Sequence, residues 1–133
     1  MKKVEELILP EDVKYTTNHE WDKPSDGVVL VGITDFAQDQ LGDIVFVELP
    51  EPGSSFEQNE VVSTVESVKA VAEVYMPING EIKAVNKDLE DNPGLVNSDP
   101  YNQGWLMQVS ANDLGQLDNL LDSSEYLEQV KGE

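Results

Sequence analysis

The sequence predicts a mainly β fold with short helices, arranged as a sandwich or a flattened barrel. Three observations lead there. β-branched and apolar runs of five to seven residues recur at close spacing, separated by Gly, Pro, Asp and Asn turn chemistry. No helix of ten or more residues separates successive strands, which disfavours a parallel α/β sheet. Only the C-terminal stretch carries a helical apolar spacing.

The elements follow in order. Val28 to Ile33 (VVLVGI) and Ile44 to Leu49 (IVFVEL) read as strands, bounded by Asp26-Gly27, Gly42-Asp43 and Pro50-Glu51-Pro52-Gly53. Between them Thr34 is the expected N-cap of a short helix, with Asp35 complementing its N-terminus and Gly42 ending it. Glu60 to Glu66 and Ala70 to Met76 form a strand pair around Lys69. Pro77-Ile78-Asn79-Gly80 makes a turn, and Glu81 to Val85 makes another strand. Asp91 to Gly94 and Asp99 to Gly104 read as loops, and a strand is expected over Trp105 to Val109. Ser110 with Asp113 suits a capping box for a helix carrying Leu114, Leu117 and Leu121 on one face. After Asp122-Ser123-Ser124, a last short helix presents Tyr126, Leu127 and Val130, and the final three residues are expected to fray.

Composition narrows function. The 133 residues make one domain, 1–133, with a core over about 12–130. The absence of cysteine excludes disulfides, thiolate metal sites and cysteine nucleophiles, so any sulfur chemistry has to arrive on a cofactor. His19 is the only histidine, which excludes a multi-histidine metal site. Eight lysines and no arginine face 27 carboxylates, a formal charge of −19. Nucleic acid and anionic membrane are therefore poor partners, whereas basic patches on other proteins are good ones; strong net charge also favours a monomer. Leu7-Ile8-Leu9 is too short for a signal peptide or a membrane span. With Met1 and no Arg-rich leader, the expected compartment is a bacterial cytoplasm, or a mitochondrion if a leader was removed.

The stretch VESVKAVAEV, residues 65–74, places Lys69 between two strand-like runs. Alternation of side chains puts it at the exposed tip of a hairpin, where a modifying enzyme can reach the amine. Ser67 shares its parity, but a solvated lysine has no means of lowering its pKa to form a nucleophilic dyad.

This hairpin resembles a lipoyl-attachment site. A biotin hairpin shares the tip lysine but usually carries methionine on both sides, where this chain has Val68 and Ala70. Further segments extend the likeness: KYTTNHEW (14–21), VGITDFAQDQLGDIVFVELPEPG (31–53), PINGEI (77–82), NPGLVNSDPY (92–101) and GWL (104–106). Together they resemble the glycine cleavage system H proteins.

That resemblance implies a lipoyl-domain-like barrel-sandwich hybrid with extra N-terminal strands and a helical C-terminus. It implies lipoate in amide linkage on Lys69, at the end of an arm reaching about 12 Å from the backbone. It implies recognition of the attachment site through Glu66, Ser67, Val68 and Ala70 by a lipoylating enzyme. It further makes His19 and Glu20 candidates to contact the loaded arm, Glu20 by pairing with an ammonium; the alternative is a structural cluster in which Trp21 is core and His19 and Glu20 are solvated. The implied role is non-catalytic: an aminomethyl group taken from glycine decarboxylase (P protein) passes to a tetrahydrofolate-dependent aminomethyltransferase (T protein). Dihydrolipoamide dehydrogenase (L protein) then reoxidises the dithiol. The alternatives are an H-like lipoyl carrier of another pathway, such as lipoyl relay or oxidative sulfur metabolism, and a binding module that never receives the cofactor. Two departures stand out: Phe36 and Gln40 occupy positions where some relatives have histidine, and Asn102-Gln103 replaces a common glycine and acidic residue.

Overall fold

The computed structural model describes residues 2–133. Two open antiparallel sheets face each other and do not close into one barrel. The larger contains β1 (Lys14–Tyr15), β2 (Glu20–Ser25), β3 (Val28–Ile33), β5 (Ser55–Phe56), β8 (Gly80–Val85) and β9 (Met107–Ala111), in the order β1-β2-β3-β9-β8-β5. The smaller contains β4 (Ile44–Glu48), β6 (Val61–Ser67) and β7 (Val71–Tyr75), in the order β4-β6-β7.

The main core lies between the sheets. Val29, Val31, Ile33, Ile82, Met107 and Val109 come from the larger sheet, and Ile44, Val47, Val62, Val65 and Val74 from the smaller. Strand alternation accounts for this set with two adjustments, the first a bulge between Ile44 and Phe46 that brings in both Ile44 and Val47 despite their opposite parity. The second, between Val61 and Ser63, lets both Val62 and Val65 point inward despite their opposite parity.

The other face of the larger sheet carries a second core of Val13, Tyr15, Trp21, Tyr126 and Val130. Trp21 pairs across the strands with Gly32, where a Cβ would meet the indole ring at 2.6 Å, so this strand position has to be glycine. The indole N–H donates to the Pro100 carbonyl at 3.0 Å, and Tyr15 stacks on Tyr126 with ring centroids 4.6 Å apart.

Helix α1 (Asp35–Leu41) has the predicted boundaries: Thr34 Oγ1 accepts from the Ala37 N–H, and Gly42, at φ 81°, closes it. The expected strand over Trp105 to Val109 starts two residues later, because Asn102 and Val31 carbonyls hold the Trp105 and Leu106 N–H groups in the approach loop. Ser110 thus lies inside β9 and caps nothing. Asp113 caps the next segment instead, accepting from Gly115 N–H at 2.8 Å. That segment, Leu114–Asn119, is a 3-10 helix that buries Leu117 and leaves Leu114 exposed.

The expected loop at Asp91 to Gly94 is a turn between two four-residue helices, α2 (Asp88–Asp91) and α3 (Leu95–Ser98). At the C-terminus Glu133 accepts from the Gln129 amide at 3.0 Å and lies 3.1 Å from His19 Nε2.

The C-terminal helix α4 (Ser123–Lys131) is set by a capping box at Asp122 and Glu125. Asp122→Ala leaves the Glu125 N–H without its cap, and a loss of about 1 kcal/mol in chemical denaturation is expected.

Candidate functional site

Strands β6 and β7 pair from Val61↔Tyr75 up to Glu66↔Val71, and the four residues beyond, Ser67 to Ala70, form the turn. Ser67 N–H donates to the Ala70 carbonyl at 2.8 Å, and its Oγ accepts from Ala70 N–H at 3.0 Å and Lys69 N–H at 3.3 Å. Ser67 is thus the fastener of the turn. Val68 N–H donates to the Asp43 carbonyl at 3.0 Å, tying the tip to the loop after α1. Lys69 is exposed and forms no salt bridge among the described residues. Its side chain runs beside Gly42: a Cβ built there would lie 3.5 Å from Lys69 Cε.

Below the tip, a cleft of about 380 Å³ opens between α1 and the hairpin. Phe36, Ala37, Gln40 and Leu41 form one wall, and Val65, Ala72, Glu73 and Val74 the other. His19, Asn18 and Glu133 lie at its end. His19 has a positive φ of 70°, fixed by its N–H donating to Thr16 and its carbonyl accepting from Thr34 N–H. Its ring packs on Phe36, centroids 4.9 Å apart, while Nδ1 lies 2.7 Å from the Tyr126 hydroxyl. That hydroxyl in turn meets Thr34 Oγ1 at 2.8 Å, so the α1 cap, α4 and His19 share one hydrogen-bonded chain. Burial raises the Tyr126 phenol well above its ordinary range, keeping it a neutral link.

Glu20 lies elsewhere. It is buried and lines a separate pocket of about 200 Å³ with Thr16, Gln58, Asn59 and Met76, not the cleft beside His19. One carboxylate oxygen accepts from Thr16 Oγ1 at 2.6 Å and the other from Tyr75 N–H at 3.1 Å. Burial pushes its pKa up to about 7, against the opposing pull of these two hydrogen bonds. Alternation explains the placement: Glu20 and Asp22 share the face of β2 that looks into the main core, and Trp21 takes the other. The expected pairing of Glu20 with a cleft-bound ammonium therefore has no geometric basis in this conformation.

Sequence reasoning missed Glu73, Asn18 and Glu133 as cleft residues. Glu73 could have been found from its register in β7; Glu133 carries no sequence signal, since only the fold of α4 returns it to His19. Phe36 and Gln40, which together make the first of the two departures, both line the cleft, whereas Asn102-Gln103, the second, does not.

The family model described as Glycine cleavage H-protein matches residues 13–133. The chain belongs to this family. It is 51% identical over 127 residues to the glycine cleavage system H protein of Thermus thermophilus, covering 96% of this chain and 99% of that one. It is 52% identical over 122 residues to a probable glycine cleavage system H protein of Natronomonas pharaonis, covering 92% and 96%. A crystal structure of the H protein from Mycobacterium marinum superimposes with a TM-score of 0.85 at 40% identity, covering 92% of this chain and 99% of that one. Membership makes the protein a carrier component of glycine cleavage rather than a catalyst.

Proposed function

We propose that the protein carries lipoate on Lys69 and shuttles between the enzymes of glycine cleavage. The observation that carries this reading is the pairing of an exposed, unpaired amine at a fastened turn with an apolar cleft along the same hairpin. The Val65–Ala72 row lies two residue rows below the turn, about 7 Å away at the strand rise, well within an arm of about 12 Å. Phe36, Ala37, Leu41, Val65 and Val74 supply an apolar lining for such a group, and the cleft volume of about 380 Å³ accommodates it.

When bound, lipoate supplies the dithiol and disulfide chemistry by which an aminomethyl group is carried from glycine decarboxylase to the aminomethyltransferase, before reoxidation by dihydrolipoamide dehydrogenase. The residues of this chain bind and orient. Ser67 and the Asp43 carbonyl fix the tip so that Lys69 points outward, while Glu66, Val68 and Ala70 give the lipoylating enzyme its local shape. His19, held by Tyr126, walls the end of the cleft. Glu73 and Glu133 give it a negative rim that suits a cationic amine and keeps out anions.

Intact mass and peptide mapping of protein from its native cell test the reading. A lipoyl adduct on Lys69 is expected. A biotin adduct, or an unmodified lysine in cells whose other lipoyl proteins are loaded, overturns it.

A further inference from the structure

The outward face of the small sheet is apolar next to Lys69 and acidic around it. Phe46, Glu66 and Val71 form one row across β4, β6 and β7, and Glu48, Thr64 and Glu73 form the next. Phe46 is 51% exposed, Val71 64% and Val68 at the tip 69%, in a protein that buries most of its valines. Exposed apolar side chains clustered in this way, rather than scattered, mark a contact surface. Residues 43–75 hold seven carboxylates and a single base, Lys69 itself.

From this face we infer that Phe46, Val68 and Val71 form the docking surface for the enzyme that acylates Lys69, a partner presenting an apolar shelf rimmed by Lys and Arg. The inference rests on Lys69 being the acylation site. Reach decides between the candidate partners. An unmodified lysine extends only about 6 Å from its backbone, so an active site that takes its amine has to close over the turn and the first row of the sheet. Enzymes acting on the finished arm work about 12 Å away and need no such contact. Charge decides the rim, since Glu66, Glu48 and Glu73 on the two rows below the tip, and Asp43 in the loop bonded to it, select a basic surface and speed its approach. A second copy of this chain is the wrong occupant, because two molecules of charge −19 would set the same carboxylates face to face. Acylation then removes the single positive charge from the patch, which leaves the product more acidic than the substrate.

The test is steady-state lipoylation of the apo-protein by the lipoate-attaching enzyme of the same cell, for wild type, Phe46→Ser, Val71→Ser and Phe46→Leu. The serine variants are expected to raise KM about tenfold with little change in kcat, as truncation of a central apolar contact does. Phe46→Leu keeps the apolar contact and should restore most of the loss. Added salt should raise the wild-type KM, because the rim contacts are screened. All these side chains are exposed, so unchanged melting temperatures should exclude misfolding as the cause. Wild-type KM in both serine variants overturns the docking surface while leaving Lys69 as the acceptor. A defect seen only with protein already loaded, acylation being normal, overturns it in favour of a later partner. Patch-dependent dimerisation in analytical ultracentrifugation overturns it in favour of a second copy. A wild-type protein that is not acylated at all overturns the carrier reading and this inference with it.

Discussion

Lys69→Arg protein supports no glycine-dependent exchange of labelled CO₂ when mixed with the cognate enzymes, and gains no lipoyl mass. The loss is expected to be complete rather than graded. Arginine keeps the positive charge and the length of the side chain, but its guanidinium does not deprotonate near neutral pH and offers no nucleophilic amine for the amide bond. The turn should not notice: Ser67 bonds the backbone of residues 69 and 70, and the Lys69 side chain is exposed, so stability should stay within about 0.5 kcal/mol of wild type. A folded, charge-matched and inactive protein would locate the function in one nitrogen atom. Retained exchange, or a lipoyl adduct on Lys83 or Lys87 in the variant, would show that the tip is not required.

The legibility of Lys69 and the illegibility of Glu20 have one physical origin. Turn chemistry and strand parity are local, so the hairpin, α1 with its Thr34 cap, and the Val28–Ile33 strand could be read from short windows. The cleft is not local. Its walls come from residues 18–19, 33–41, 65 and 72–74, and its end from Glu133, which α4 returns to His19. No period in the sequence records that meeting. Strand β2 carries no strand pattern either: EWDKPS is charged and contains a proline, yet Glu20, Trp21 and Asp22 are all buried. Cross-strand partners override composition there, because β2 lies between β1 and β3 with a core on each face. The 3-10 helix at Leu114 shows the same limit, since leucine spacing of three residues fits two helix types and Gly115 weakens the longer-lived one.

Those buried acids give the protein an unusual stability profile: the unfolding free energy should fall as pH rises from 5 to 8. Glu20 is held near 7 in the fold against an ordinary 4.5, so the folded state retains a proton that the unfolded chain releases. For a carboxyl raised in this way, stability is greatest below the unfolded pKa and is lost as pH climbs to the folded one. Across that window the loss from Glu20 alone is about 3 kcal/mol at 1.4 kcal/mol per pH unit. Asp22 acts in the same sense: burial, and then the neighbouring Glu20 charge, push it well above its usual range, and neither of its carboxyl oxygens has a hydrogen-bond partner among the described residues.

Asp35 does not cancel this trend. Burial pushes its pKa up, but the Lys2 ammonium, the Ile8 N–H and the Gln38 amide together pull it below 3.8, so its stabilisation is lost only in stronger acid. The fall in stability therefore starts at about pH 4.5, above the Asp35 window, and runs up to the folded Glu20 value of about 7. Urea unfolding of the apo-protein from pH 5 to 8 measures it. Glu20→Gln is the decisive variant, since an amide can accept from Tyr75 N–H and donate to Thr16 Oγ1 in the same site, and it should flatten the slope by about the 3 kcal/mol assigned to Glu20. A wild-type profile that is level or rising over this range would mean that Glu20 ionises in the fold as readily as in the unfolded chain. Because Glu20 bonds β7 from β2, its ionisation loads the strut between the two sheets at the end of the hairpin opposite Lys69.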